Sequence, residues 1–199
     1  GLMTFDEIVT EVCTRVNDPD KDTYGGRAET LFIQAVCELA IDSPLEEIQE
    51  LIIDGIPLID VDDEGTSMTA VEFLNYEASF SIPYGTLKVL DLFIDPADLV
   101  VSDLILKEID HDEVKRMKLE PAFKPAGNEC FWYRIGNEIR LLLSEDWTGG
   151  LIINFTFQII NSPDKDNWTG DMTTGHGYSK GFVFKCIENA VGKLRAELV

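Results

Sequence analysis

Apolar residues near the start of the chain recur at helical spacing. Phe5, Ile8, Val9, Val12 and Val16 fall on one side of a 3.6-residue repeat. Thr4 and Glu7 stand ahead of that run at the S/T-x-x-E spacing, in which each side chain covers the other residue's free backbone N–H. The pattern predicts a helix that stops at Asn17-Asp18-Pro19-Asp20, because Pro19 cannot continue it. After Gly25-Gly26, a second helix is predicted from Ala28, Leu31, Phe32, Ala35, Val36, Leu39 and Ala40. Ser43, Pro44 and Glu46 read as the cap, first helical residue and box partner of a third, with Leu45, Ile48 and Ile52 as its buried stripe and Gly55 as its end.

The period then shortens. Residues 68–82 alternate loosely, and Pro83-Tyr84-Gly85 makes a turn. An apolar run from Leu87 to Ile94 follows, and residues 103–109 read as another strand. Asp110 and Glu113 cap a short helix over 110–119 that carries Val114, Met117 and Leu119. Gly136-Asn137 sits between apolar runs at 131–135 and 138–143 and predicts a two-residue hairpin. Trp147-Thr148-Gly149-Gly150 turns the chain into a long strand over 151–160. Residues 161–177 are polar and rich in Gly and Pro, so they read as a surface loop. A final helix from about Tyr178 carries Phe182, Cys186, Ile187, Ala190 and Leu194.

The order predicts an α+β fold. Residues 1–55 and 178–199 are expected to form a helical bundle, with an antiparallel β-rich insertion over 56–177. A chain of 199 residues buries roughly 70% of its unfolded surface and needs no disulfide or metal to fold.

Charge narrows the function. There are 37 Asp and Glu against 16 Lys and Arg, a net charge of −21, so the free chain repels nucleic acid. Two readings stay open: solubility alone, or an acidic surface past which DNA moves without sticking. Cys13, Cys37, Cys130 and Cys186 form no C-x-x-C pair, and neither His111 nor His176 lies near a cysteine in sequence. Zinc-ligand spacing is absent, so the cysteines read as small core hydrophobes in a reducing compartment. With no 18-residue apolar run and no basic-then-apolar leader, the chain is expected to be soluble, with no membrane partner.

A Walker loop and a G-x-G-x-x-G turn are missing. His176 between Gly175 and Gly177 is either a base on a lid or part of a flexible loop, and the loop reading is favoured. His111 with Asp110 or Glu113 is either a metal site or a helix start, and the helix start is favoured. The run from Asp60 to Gly65 has acids and a Gly at calcium-loop offsets. It has Val71 where the closing Glu belongs, which favours a solvated acidic turn. Trp132 and Tyr133 are neighbours on a strand and face opposite sides, so one is core. Trp147 and Trp168 lie in turns, where an exposed Trp anchors a protein contact or lines a sugar platform. No catalytic residue, cofactor or metal is expected.

The ordered set of segments resembles the head–tail adaptor proteins of tailed bacteriophages, also called connector or ring proteins. The residues that carry the resemblance are Met3-Thr4-Phe5-Asp6-Glu7-Ile8-Val9, the Asn17-Asp18-Pro19-Asp20 loop and Glu38-Leu39-Ala40. Phe80-Ser81-Ile82-Pro83, Leu92 through Leu99 with Asp95-Pro96, Leu106 through Arg116, and the hairpin from Trp132 to Leu141 continue it. The 161–177 loop has no counterpart.

The resemblance implies a structural virion protein, made in the host bacterial cytoplasm and placed at the head–tail junction. It implies a ring, dodecameric in the virion and monomeric when free, that docks on the portal protein and meets other tail or ring proteins. DNA would pass through the ring without specific binding. The interface residues expected on this reading are Trp147, Trp168, Phe182, Lys185, Lys193 and Arg195. A stopper or tail-terminator, a carbohydrate-binding β-module and a metal-dependent hydrolase are the competing readings.

Overall fold

The computed structural model describes residues 3–57, 60–61, 67–68, 71–95 and 103–199. Among them are α1 (Phe5–Thr14), α2 (Gly25–Ala40), α3 (His111–Leu119) and α4 (Lys180–Glu197), around a β-rich middle, which is an α+β fold. The chain divides into a helical unit, Gly1–Ile53 with Ile160–Val199, and a β unit, Asp54–Ile159.

In the helical unit α1, α2 and α4 pack on one another. The capping box at the start of α1 forms as its spacing predicts. The Glu7 N–H donates to Thr4 Oγ1 at 3.2 Å and the Thr4 N–H to Glu7 Oε2 at 2.8 Å. Ile8, Val9, Val12 and Cys13 bury one face of α1. Ala28, Leu31, Phe32, Ala35 and Val36 bury one face of α2. Ser179 caps α4 through the Phe182 N–H at 3.0 Å, and Phe182, Cys186, Ile187, Ala190 and Leu194 lie in the core.

The third helix expected after Ser43 does not form. Two single 3₁₀ turns, Leu45–Glu47 and Gln49–Leu51, run into strand β1 (Ile52–Pro57). The Ser43 hydroxyl donates back to the Leu39 carbonyl at 2.7 Å instead of capping forward. Ile48 leaves helical geometry, at φ −133° and ψ 32°, to bridge Tyr178. The Gln49 N–H then donates to Gly177 O, and the Ser179 N–H to Glu47 O. Pairing with a distant segment, aided by the β-branched Ile48, Ile52 and Ile53, outcompetes three residues of helical signal.

The β unit continues with β2 (Asp60–Val61), β3 (Ser67–Met68), β4 (Val71–Glu72), β5 (Glu77–Ser81), β6 (Thr86–Ile94) and β7 (Ile105–Glu108). After α3 come β8 (Glu129–Ile135), β9 (Glu138–Leu143), β10 (Ile152–Ile153) and β11 (Phe155–Asn161). The stretch over 68–82 is broken by Asn75 and Tyr76, both in the left-handed region at φ 53° and 63°. One sheet has the order β1-β11-β6 and a second β5-β9-β8-β7, while β2-β3 and β4-β10 are short ribbons.

The β8–β9 hairpin has the predicted register, with Ile135 opposite Glu138, and Gly136 supplies the positive φ at its tip. β7 runs parallel to β8, and α3 lies in the crossover between them. Phe80, Ile139, Leu141, Cys130 and Trp132 point from the second sheet into the core of the unit. Phe131 points the other way and packs under Val114 and Met117 of α3, with Tyr133 and Leu142 beside it. Leu119, expected with that apolar set, is instead 82% exposed.

Candidate functional site

Residues 161–177 are a strap that belongs to the helical unit, not a surface loop of the β insertion. Its aromatic plug is the physical reason. Trp168 lies 5.1 Å from the Phe5 ring, 5.9 Å from Phe32 and 6.1 Å from Tyr178, centroid to centroid, and is 6% exposed. Met172 is fully buried, and Thr4 bridges Asp171 across the entry to α1.

Two polar fastenings hold the strap. The Asp171 carboxylate accepts the Met3 N–H at 2.9 Å, the Thr173 N–H and hydroxyl at 2.7 Å each, and the Thr174 N–H at 2.9 Å. The Thr173 hydroxyl, then the Thr174 N–H, hold its carboxyl well below the usual carboxylate range. His176 is the second fastening. Its Nε2 lies 2.8 Å from the Thr169 carbonyl and its Nδ1 2.9 Å from Glu50 Oε1. Which ring nitrogen donates depends on the tautomer. Burial first, then the Glu50 charge, pushes the Tyr178 phenol upward and keeps it protonated.

The expected interface residues separate. Phe182 is a core residue at 0% exposure, stacked on Tyr178, because helical spacing puts it on the same stripe as Cys186. Trp168 is likewise core. Lys193 is held by Glu38 at 2.7 Å, and Arg195 donates to the Arg15 carbonyl at 2.9 Å. Lys185 is exposed and makes no ion pair among the described residues. Trp147 is half-buried, and its Nε1–H donates to Gly150 O at 3.0 Å. Its ring occupies the space where a side chain on Gly149 would stand. With Trp132 at 2% exposure as well, no exposed row of Trp exists for a sugar to stack on.

His111 opens α3 on the surface. Asp110 and Glu113 are engaged in a reciprocal capping box at 2.7 and 2.8 Å, the role favoured for them over metal ligation. Among the described residues no three His, Cys, Asp or Glu side chains come together as a metal-binding group. No helix of the described residues is long and apolar enough to cross a membrane. The calcium-like run lies mostly outside the described residues, as does most of the segment from Pro96 to Leu99. Sequence reasoning missed Asp171 and Glu50 as partners. The Asp171-x-Thr173 spacing was a usable sign, since it is that of an Asx turn.

The concave surface of the β unit lies along α3. An open hollow of about 1140 Å³ is lined by Tyr133, Arg140 and Leu142 of the sheet and by Met117, Lys118 and Lys124. A smaller one of about 380 Å³ shares Lys124 and is lined by Lys107, Arg116, Phe123 and Phe131. A comparison with protein-family models and with curated proteins finds no match for this chain.

Proposed function

We propose that this protein is a structural component of a tailed-phage virion, a head–tail adaptor that forms a ring below the portal. The observation that carries the reading is architectural. A helical unit made from both ends of the chain carries a β unit inserted between them, the segment order that marks the resemblance. The chain works by assembly, and its partners are the portal protein, neighbouring tail or ring proteins and further copies of itself in a dodecamer.

Net charge supports the same reading. At −21, acidic groups facing a lumen repel phosphates over a Debye length of about 8 Å at physiological salt, which keeps passing DNA mobile. A ring contact is head-to-tail and needs two different complementary faces on each subunit. Of the six residues expected at interfaces, Lys185 is the one on an open, uncommitted surface. Trp168 and Phe182 are withdrawn from that role.

Co-sedimentation with the portal protein encoded by the same genome, followed by electron microscopy, tests the proposal. A portal decorated with one added ring is the expected result. An undecorated portal at high protein concentration and low salt would overturn it.

A further inference from the structure

The chain has 37 acidic residues against 16 basic ones, so several cations gathered on one stretch without carboxylates bear on what that surface meets. In the β unit Lys107 reaches Glu113 at 4.0 Å, and Arg140 reaches Glu138 at 3.5 Å. Arg134 donates to the carbonyls of Gly136, Leu87 and Thr86. Lys115, Arg116, Lys118 and Lys124 are all exposed, and none makes an ion pair among the described residues. They fall together in α3 and the turn that follows it. The same stretch exposes Leu119, and it exposes Phe123 to 47%. The 380 Å³ hollow beside it has an apolar lining that includes Phe123 and Phe131, three cations (Lys107, Arg116 and Lys124) and two carboxylates, Glu113 and Glu129. Lys107 already lies over the Phe131 ring at 5.4 Å.

We infer that α3 and the turn after it form a docking surface for an acidic protein segment bearing an apolar side chain. The apolar side chain enters the hollow against Phe123 and Phe131, and flanking carboxylates meet Arg116 and Lys124. Charge complementarity selects this occupant. A basic or neutral segment leaves the cations of the stretch unpaired, whereas a carboxylate meets Arg in a bidentate, charge-assisted contact. Duplex DNA is the poorer polyanion here. The cations of the hollow would meet phosphate as well as carboxylate, but a duplex backbone has no apolar side chain to set against Phe123 and Phe131. The inference stands apart from the ring reading, because any acidic partner chain satisfies it.

The test uses the full chain and a fluorescein-labelled peptide, EDLEDFED, followed by fluorescence anisotropy at about 50 mM salt, where screening is weak. The peptide is expected to bind, and to bind more weakly as salt rises. In R116E/K124E the affinity is expected to fall by about tenfold, the size of two lost contacts plus the new repulsion. Far-UV circular dichroism checks that the variant is folded, and R116Q/K124Q gives the same reading if charge reversal disturbs the helix. K165E/K180E, an equal change in charge at exposed helical-unit residues, is expected to bind as the parent does. The peptide EDAEDAED is expected to bind less tightly than EDLEDFED. Four results would overturn the inference: no binding to the parent protein, parental affinity in both 116/124 variants, equal weakening in K165E/K180E, or displacement of the peptide by a DNA duplex at lower concentration than by unlabelled peptide.

Discussion

Two connecting segments of this protein were given opposite fates. The strap over 161–177 is polar in composition, yet it turns its apolar residues inward. Trp168 and Met172 vanish into the helical unit, and Asp171 and His176 tie the backbone down. The stretch over 110–124 has a regular helix with a complete capping box, yet it turns Leu119 and Phe123 outward. Regular secondary structure therefore does not mark the part that holds the protein together. What decides is where the large side chains go, since burying an aromatic ring outweighs the few tenths of a kcal/mol in an exposed turn of helix.

Breaking the strap gives the largest expected effect. Trp168→Ala removes three ring contacts at once and is expected to lower stability by about 3–5 kcal/mol, the range for large aromatic deletions in a core. Urea unfolding measures it, and a loss close to zero would show that the plug does not hold the strap.

The Asp171 fastening makes the comparison sharper through pH. Its folded carboxyl titrates below the unfolded value of about 3.9. Its contribution is therefore complete above that value and is lost as pH falls through the folded one. Asp171→Asn is expected to be less stable than the parent at neutral pH, with the gap narrowing on acidification. Unfolding midpoints at several pH values test this, and a gap that stays constant would remove the clamp.

Gly149→Ala carries the comparison to the other turn tryptophan. A Cβ there stands 2.1 Å from Cζ2 of Trp147, so ring or turn must move. A cost of about 1–3 kcal/mol is expected, as for overpacking. It is read as a fall in melting temperature, together with a shift in Trp fluorescence. Smallest of all, Leu119→Ala and Phe123→Ala are each expected to change stability by less than about 0.5 kcal/mol, because their side chains face solvent. A thermal melt that moved several degrees for either would erase the contrast between the two segments.

The same contrast explains what could be read from sequence. Helix α1, helix α4 and the hairpin at Gly136 were legible because their signals are local: a capping pair, a 3.6-residue repeat, a glycine between apolar runs. The third helix was not, because Ile48 answers to Tyr178, 130 positions further on in the chain. Trp168 looked exposed because its neighbours in sequence are polar, while its neighbours in space are Phe5 and Phe32. For the candidate site, residue types and net charge were visible from the start. That Lys115, Arg116, Lys118 and Lys124 make no ion pair among the described residues was not, since pairing is a property of distance and not of composition.

The division of the helical unit between segments on either side of the β unit has a consequence for biosynthesis. Met3 meets Asp171 across 168 positions, and Arg27 meets Glu197 across 170. On a ribosome making roughly 5–20 residues per second, α1 and α2 emerge well before the segment that completes their core. They wait with Phe5, Leu31 and Phe32 uncovered, while nearly all of the β unit, which is continuous in sequence, has already been made. The nascent chain thus closes the β unit first and the helical unit last, and its most aggregation-prone interval lasts until α4, which packs on α1 and α2, has left the exit tunnel.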